Sequence, residues 1–518
     1  MKDRENRENN RVIKILLEQP SLKNNTADAD RLKTALKKKL HTQNIHIDLK
    51  LLRQIPFLLR QWDYNVCCIL FKNQSQYILL GITKAQEQKI AAGLAVDLGT
   101  TRVVLRLINL SNGQTLGESS FDNPQIKIAP DILARIHYTD TDQGLDHIQQ
   151  MIINSLNQAA DSLCKSCSLS TEDVYLISVA GNTAMTHLFM GITPRWMIRE
   201  PYIPAINNPG VLKADELGIK AAPFARIFIF PNVGSYFGGD LIAGILFSGM
   251  NKAENTSILV DVGTNAEVIL GNKDWLIACA GAAGPALESG VAKMGMMAGP
   301  GVIETVEINS QTCEFQFKTI GDLKPKGMCG SGIIDLAAQL FLSGMLDIRG
   351  KLVPEKCGNK FKEKDSMSYI VVVPKDQTST GLDLIISQAD IDSLIRSKAA
   401  MYTILRTITL SVGMELKDLK KFYVAGTFGS FIKPASAIAL GMIPDLPLES
   451  YKILGNSSLG GAAMALIQED CMEEMEKIRD QITYIELNVN QELMNRFSAA
   501  KFLPHTDPSL FPSVKVWG

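Results

Sequence analysis

The sequence predicts an α/β protein built around a duplicated unit of strand and turn. An apolar run that begins at Leu94 ends in Asp97-Leu98-Gly99-Thr100-Thr101. A second run, which begins at Ile258, ends in Asp261-Val262-Gly263-Thr264-Asn265. Elsewhere, stretches with helical periodicity alternate with short apolar stretches, an order that is typical of α/β proteins.

Both turns carry residue types that suit a bound phosphate. Glycine lets a backbone approach a ligand closely, so Gly99 and Gly263 are candidate binding residues. Asp97 and Asp261 are candidates for holding Mg²⁺ through its water shell and for orienting an attacking water, which makes them the candidate catalytic and metal-binding residues. Hydroxyl groups and exposed amides for the phosphates come from Thr100, Thr101, Thr264 and Asn265. The alternative interpretation is two ordinary tight turns.

Composition excludes several classes of protein. A chain of 518 residues is expected to hold about two to four domains, and its 46% apolar content supports a sizeable core. The net charge of −1 provides no global field that would recruit nucleic acid or an anionic membrane. No apolar run is long enough to span a bilayer, and no signal-peptide core follows the charged start of the chain. We therefore expect a cytoplasmic protein.

Nine cysteines are dispersed along the chain, which argues against a disulfide framework. Cys164-Lys165-Ser166-Cys167 is the one Cys-x-x-Cys motif, and no second pair or histidine lies at a fitting spacing for a metal or cluster. We interpret it as chance spacing near a helix end, with redox activity or partial metal ligation as the alternative.

The elements are predicted in chain order as follows. Residues 1–28 are polar and predict a flexible start, after which an amphipathic helix covers Asp28 to Leu40. Further helices are expected near residues 51–62, 144–164, 333–344, 387–414, 458–479 and 492–497. Strands are expected near residues 66–71, 77–82, 94–98, 103–108, 175–179, 227–230, 258–262, 267–270, 369–373, 422–425 and 484–487. The acidic second half of the helix at 458–479 is interpreted as a solvated face.

Several other residues stand where a ligand could approach. Asp240 lies at a predicted helix start, either as an N-cap or with a role at a nucleotide site. Gly330 and Ser331 precede a helix and offer free amides to an anion, or form a packing turn. The small residues around Gly284 permit close backbone approach. His187 is interpreted as a packed helix histidine, because no partner acid is visible locally.

Five glycine-marked turns occur in a fixed order along the chain. Their positions are Asp97 to Thr101, Gly181 to Thr183, Asp261 to Asn265, Gly426 to Gly429 and Gly455-Asn456. This order resembles the phosphate, connecting and adenosine loops of the superfamily of actin, hexokinase and the 70-kDa heat-shock ATPases. The resemblance implies an actin-like ATPase fold with two ribonuclease-H-like lobes, ATP and Mg²⁺ as ligands, and an adenosine loop at Gly426, Thr427 and Gly429.

Several segments are also similar to the ATP-dependent reductive activators of corrinoid proteins. They are Pro20 to Asp28, Asn123-Pro124-Gln125, Gly181 to Leu188, Asp261 to Glu267, Ala282 to Ala286 and Gly327 to Gly332. On this resemblance, Asn182, Asp240, Glu267, Gly284, Gly330 and Ser331 join the candidate nucleotide site. It implies a homodimer and a corrinoid-protein partner. It also implies three domains: a flexible N-terminus and linker helix at 1–41, a small α/β middle domain at 42–90, and an ATPase domain at 91–518 with lobes at 91–255 and 256–518.

The main departure of the chain from that family concerns an iron–sulfur domain. Typical members begin with a ferredoxin-like domain that carries a [2Fe-2S] cluster, whereas the first cysteine here is Cys67 and no cluster-binding pattern occurs. We therefore expect no iron–sulfur cluster in this chain and a separate ferredoxin-like electron donor. The expected function is ATP-dependent assistance to the reduction of cob(II)amide to cob(I)amide in methyl-transfer metabolism. The alternatives are a small-molecule kinase on the same fold and a nucleotide-gated regulatory protein without redox activity.

Overall fold

The computed structural model describes residues 11–87, 89–263, 266–281, 293–309, 312, 314–426, 432–485 and 491–515. The chain divides into two units. The first, called the N-unit, consists of Met1–Gly249 with Ser457–Gln481, and the second, called the C-unit, of Met250–Asn456 with Ile482–Gly518.

The N-unit begins with a four-stranded sheet in the order β1-β3-β4-β2. Its strands are β1 (Val12–Leu16), β2 (Ile45–Ile47), β3 (Asn65–Asn73) and β4 (Gln76–Lys84). Its helices are α1 (Asp28–Leu40), α2 (Leu49–Leu52) and α3 (Ile55–Gln61). The predicted stripe of Leu32, Leu36 and Leu40 is buried, so α1 covers the sheet with its apolar face.

Two expectations about this region need correction. Residues 12–16 form a strand paired antiparallel with β3, whereas a flexible start was predicted. A local polar composition does not show that a neighbouring strand will pair with β1 and bury Ile13 and Ile15. β1 and α1 share one apolar core with β2, β3 and β4, so the predicted boundary after residue 41 runs through a single packed body.

A six-stranded sheet follows, in the order β7-β6-β5-β8-β10-β9. Its strands are β5 (Ala92–Leu98), β6 (Arg102–Asn109), β7 (Thr115–Asp122), β8 (Val174–Gly181), β9 (Val211–Lys213) and β10 (Arg226–Ile229). Its helices are α4 (Ile132–Tyr138), α5 (Asp142–Ser166), α6 (Thr183–Met190) and α7 (Gly239–Ser248). β5 pairs antiparallel with β6 and parallel with β8, and both of its faces are buried.

The C-unit repeats this arrangement in its own six-stranded sheet, in the order β21-β20-β11-β12-β13-β22. The strands of the unit up to β19 are β11 (Ser257–Val262), β12 (Ala266–Gly271), β13 (Leu276–Gly281), β14 (Val302–Ile308), β15 (Phe315–Thr319), β16 (Gly327–Met328), β17 (Phe361–Lys364), β18 (Met367–Val373) and β19 (Leu384–Ser387). They are followed by β20 (Lys421–Ala425), β21 (Tyr451–Gly455) and β22 (Ile482–Tyr484). β11 has an antiparallel neighbour, β12, and a parallel neighbour, β20, as β5 has β6 and β8.

The remaining helices are divided between the units. α8 (Gly330–Leu342), α9 (Pro354–Cys357), α10 (Gln388–Leu410), α11 (Pro434–Ala439) and α14 (Gln491–Ala500) belong to the C-unit, whereas α12 (Ser457–Ile467) and α13 (Cys471–Gln481) return to the N-unit. α12 packs on β5, β8 and α7. The lobes were predicted as continuous stretches, 91–255 and 256–518, whereas the second stretch is interrupted by Ser457–Gln481, which belongs to the N-unit.

The single helix predicted at 458–479 is two helices, and its acidic half is not simply a solvated face. Tyr77 Oη on β4 donates to Glu469 Oε1 at 2.8 Å, and Lys72 Nζ on β3 lies 2.5 Å from Asp470 Oδ1. These two carboxylates, which lie between α12 and α13, therefore connect the four-stranded sheet to the segment that joins the two helices. Sequence periodicity describes the helix itself and not the partner that reaches its polar face.

Candidate functional site

The first hairpin turn, Gly99 to Thr101, joins the carboxyl end of β5 to β6. Asp97 lies one residue before the end of β5 and is half-buried. The backbone amides of Thr100 and Thr101 donate to no acceptor in the part of the chain that the structure describes. A glycine turn with exposed amides beside a strand end is a suitable binding place for an anion.

The carbonyl side of the first hairpin turn is fully occupied. Asn123 Nδ2 donates to Gly99 O at 2.9 Å, and the amide of Asn123 donates to Thr101 O at 2.8 Å. Arg135 Nη1 donates to Thr100 O at 2.7 Å. Both side chains are buried. Three successive carbonyl oxygens are thus held by the protein, and the amides are the polar groups that remain available.

The predicted connecting residues meet this turn. Asn182 Oδ1 accepts from Met185 N at 2.9 Å and so caps α6, while its Nδ2 donates to Thr100 Oγ1 at 2.9 Å. Gly238 leaves room for Asn182 and Asp240, because a Cβ at Gly238 would lie 2.4 Å from Asn182 Cα and 2.7 Å from Asp240 Oδ1. The structure therefore brings together Asp97, the first hairpin turn, Asn182 and Asp240.

Asp240 is not the N-cap of its helix. Gly238 has that position, and Asp240 lies in the first turn of α7, where its Oδ1 accepts from Leu241 N at 2.9 Å. An acid in the first turn is favoured by the helix dipole. The interpretation of Asp240 as the N-cap is therefore wrong, and its role at the nucleotide site stays a prediction.

Ser458 is a residue that sequence reasoning did not single out. It lies in the first turn of α12, and its hydroxyl donates to Asp97 Oδ1 at 2.8 Å. The carboxylate of Asp97 is thereby oriented by an element from the far end of the chain. No local motif marks this serine, because the contact depends on the return of α12 to β5.

The C-unit contains the second copy of the strand and its Asp-x-Gly turn. Asp261 lies opposite Glu267 in the antiparallel pair of β11 and β12, so the two carboxylates share one face of the sheet. Gly426 follows β20 with φ +85°, and a Cβ there would lie 2.6 Å from Asp261 Oδ1. Only glycine allows this close approach. Asp261, Glu267 and Gly426 are thus neighbours, while Gly263 is exposed in the turn after β11.

Gly330 and Ser331 occupy a different part of the C-unit. They begin α8, which packs against β14, and Ser331 Oγ lies 3.1 Å from Cys329 Sγ. The candidates Thr264, Asn265, Gly284, Thr427 and Gly429 lie outside the described residues. The nucleotide-binding role of all these residues stays a prediction.

His187 is a structural histidine, as predicted. It is fully buried, its Nδ1 donates to Thr183 O at 2.7 Å, and its Nε2 accepts from Ile206 N at 3.4 Å. Burial lowers the pKa of the imidazole, although the bond to Thr183 opposes this effect. The neutral ring therefore uses both nitrogens inside the fold, and neither is available for acid–base chemistry.

Cys164 and Cys167 are free thiols at the end of α5. Burial raises the pKa of Cys164 to about 11, and Cys167 Sγ donates to Leu116 O at 3.5 Å. A buried thiol with a raised pKa, such as Cys164, is a poor nucleophile and a poor metal ligand. Within the described ranges, no group of three or more His, Cys, Asp or Glu side chains could hold a metal ion.

Among the helices that the structure describes, none is both long enough and apolar enough to cross a membrane.

Comparisons with known proteins cover almost the whole chain. Models of the RACo linker region, the RACo middle region and the C-terminal domain of RACo, described as the ASKHA domain, match residues 7–89, 92–253 and 255–515. The segment at 42–90 was predicted as the middle domain. It corresponds instead to the linker region, whose match ends at residue 89, and the middle region begins at residue 92. The predicted α/β, actin-like ATPase fold is confirmed.

Individual relatives agree with this assignment. A solved structure titled "Reductive activator for corrinoid,iron-sulfur protein" is 34% identical, with a TM-score of 0.86, covering 97% of this chain and 80% of that one. The corrinoid activation enzyme RamQ of Eubacterium limosum is 29% identical over 80% of this chain and 71% of its own length. A reductase of Methanosarcina barkeri, named for a Co(II) methylated-amine-specific corrinoid protein, is 22% identical over 78% of this chain and 75% of its own length. The chain belongs to the RACo family.

Proposed function

We propose that this protein uses ATP to assist the reduction of a corrinoid protein from its cob(II)amide to its cob(I)amide form. The observation that carries the proposal is the match to a reductive activator of a corrinoid protein across 97% of this chain. The substrate class follows from the names of the relatives, each of which refers to a corrinoid protein or to its activation.

Each hairpin turn, taken by itself, supplies a binding place for phosphate groups. In the N-unit, the amides of Thr100 and Thr101 and the hydroxyl of Thr100 face the ligand while the carbonyls are held behind. In the C-unit, Asp261 and Gly426 begin the corresponding place, and Gly426 starts the loop assigned to adenosine. We propose that the bound ATP is hydrolysed.

The acidic side chains fit a magnesium ion held largely through water. Mg²⁺ keeps several waters and is usually bound by one or two carboxylates together with substrate phosphates. In the N-unit Asp97 provides such oxygens, and in the C-unit the pair of Asp261 and Glu267 does so, whereas the described residues offer no dense metal cage. When bound, Mg²⁺ would neutralise phosphate charge. Asp97, oriented by Ser458, would position the attacking water.

ATP can drive the reduction through differential binding. Reduction of cob(II)amide is unfavourable, and an activator favours it by binding the corrinoid protein more tightly in one state than in the other. Hydrolysis then resets the complex. We propose that a separate iron–sulfur protein supplies the electron and that the activator acts as a homodimer.

The test combines the purified protein, Mg-ATP, a low-potential reductant and candidate corrinoid proteins, and follows the loss of cob(II)amide optically. We expect a loss that requires ATP. Asp97→Asn should abolish the ATP-dependent loss of cob(II)amide, whereas Asp161→Asn, which changes a partly exposed acid on α5, is the matched control and should leave that loss unchanged. No ATP dependence with any corrinoid partner would contradict the proposal, and phosphorylation of a metabolite would favour the kinase.

A further inference from the structure

A buried arginine lies beneath the first hairpin turn of the N-unit. Arg135 on α4 is 0% exposed. Its Nη1 donates to Thr100 O at 2.7 Å, its Nε to Ala129 O at 3.0 Å, and its Nη2 to Pro130 O at 3.4 Å. The guanidinium thus connects the turn to the segment that precedes α4.

No carboxylate neutralises this guanidinium. Within the described part of the chain, no acidic oxygen lies within ion-pair distance of Arg135, and Asp131 is instead the N-cap of α4 through Ala134 N. Burial lowers the pKa of Arg135, and the more distant charge of Asp131 opposes that shift. An uncompensated buried cation is costly for a fold. Because of this cost, we expect an arginine that lies beneath a predicted phosphate site to have a function there.

The hydrogen bonds indicate where Arg135 acts. Arg135 and Asn123 together hold the carbonyl oxygens of Gly99, Thr100 and Thr101, which would otherwise repel phosphate oxygens. Asn123 is itself fixed, because its Oδ1 accepts from Gln125 N at 3.0 Å and Gln125 Nε2 donates to Ile148 O at 3.0 Å on α5. The turn consequently has its amide side free, with a permanent positive charge directly behind it.

We propose that Arg135, assisted by Asn123, is a positioning residue that makes the first hairpin turn selective for polyphosphates over a monophosphate. The proposal rests on the proposed function in one respect, namely that a nucleotide binds at this turn. Arg135 touches neither substrate nor metal and acts through the backbone of Thr100. The chemistry it favours is a chain of phosphates carrying several negative charges, as in ATP and ADP.

The test measures the affinities of the full chain for Mg-ATP and for AMP by calorimetry. In Arg135→Met, the affinity for ATP should fall about 10- to 100-fold, as expected for the loss of hydrogen bonds to a charged group, while that for AMP changes less than about twofold. Arg135→Lys keeps the charge but not the fork of donors, so its loss should be intermediate. Arg53→Met removes an exposed arginine and is the matched control.

The ratio of the two affinities separates positioning from a general structural role. Equal weakening for ATP and AMP, or an unchanged ratio in folded Arg135 variants, would overturn the proposal. If circular dichroism shows that these variants do not fold, Asn123→Ala provides the test instead. This variant should lower the ratio of the affinity for ATP to the affinity for AMP. A wild-type chain that binds ATP selectively but shows no ATP-dependent corrinoid reduction would remove the proposed function and leave this inference standing.

Discussion

At the scale of single residues, Ser458 orients a carboxylate from which it is separated by 361 positions in the sequence. Its hydroxyl donates to Asp97, whereas the hydroxyl of the adjacent Ser457 is buried and has no hydrogen-bond partner in the described part of the chain. The two neighbours therefore form a natural pair of test and control positions.

Ser458→Ala is expected to lower ATP turnover about tenfold and stability by about 1 kcal/mol, because Asp97 loses one oriented hydrogen bond. Phosphate release and thermal unfolding measure the two effects. Ser457→Ala removes a hydroxyl without a partner and should leave turnover unchanged. Equal losses in both variants would show that α12 is merely sensitive to substitution and that Ser458 has no special role.

Lys398 on α10 gives the C-unit a pH dependence. It is fully buried and donates to the carbonyls of Phe502 and Pro504. Burial lowers its pKa from 10.5 to about 7. Between these values the unfolded chain binds a proton that the folded chain has released, so this group makes stability rise as pH increases and fall as pH decreases toward 7.

The slope from Lys398 is at most about 1.4 kcal/mol per pH unit. Urea unfolding at pH 7, 8 and 9 should show wild type gaining stability relative to Lys398→Met as pH rises. Lys375→Met, at an exposed position of the same unit, is the control and should follow wild type. Parallel curves for wild type and Lys398→Met would contradict the assignment.

At the scale of elements, α12 is held at both ends. Its first turn supplies Ser458 to Asp97, and its last carbonyls accept from Arg11, whose Nε lies 3.0 Å from Leu466 O and whose Nη2 lies 2.6 Å from Gln468 O. The same guanidinium lies over the ring of Phe71 on β3, 5.1 Å from its centroid. The N-terminal sheet thus fixes the helix that orients the candidate catalytic acid.

Arg11→Ala is expected to destabilise the N-unit by about 2–4 kcal/mol, because the carbonyls at the end of α12 lose a buried donor and Phe71 loses its packing partner. Chemical unfolding measures the change. Arg53→Ala, at an exposed position after α2, is the control and should remain within about 0.5 kcal/mol of wild type. A loss below about 1 kcal/mol would show that water replaces Arg11 without cost.

At the scale of the whole molecule, the N-unit is completed only after the first part of the C-unit, Met250–Asn456, has been synthesised. α12 packs on β5, β8 and α7, and Ser178 Oγ on β8 donates to Ala462 O at 2.7 Å. Without α12, the apolar surfaces of these elements would face water. The two units are therefore interleaved along the chain rather than arranged in sequence.

This order predicts the behaviour of shortened chains. Residues 11–249 alone should aggregate or bind a hydrophobic dye, whereas residues 11–249 joined through a flexible linker to residues 455–481 should fold cooperatively. Circular dichroism and thermal unfolding distinguish the two. A cooperative transition in the shorter chain would show that α12 contributes little to the N-unit.

Much of this organisation could be predicted because it depends on local sequence patterns. The stripe of α1, the strands β3, β5, β8 and β11, and the glycine turns after β5 and β11 follow from periodicity and turn chemistry. β1 was missed because its polar neighbourhood predicts a flexible start. The break between α12 and α13 was also missed, and the carbonyls there accept from Arg11, a residue far away in the sequence. Asn123 was found only through family resemblance, and Arg135 was not found at all.

The sequence by itself determined the α/β class, the duplicated Asp-x-Gly turns and membership of an activator family, because each depends on neighbouring residues or on their order. Only the tertiary structure decided how the N-unit site is built. It placed Ser458 on Asp97, and it placed Arg135 and Asn123 on the carbonyls of the first hairpin turn. These contacts join distant segments or pass through buried backbone groups, for which no sequence pattern exists.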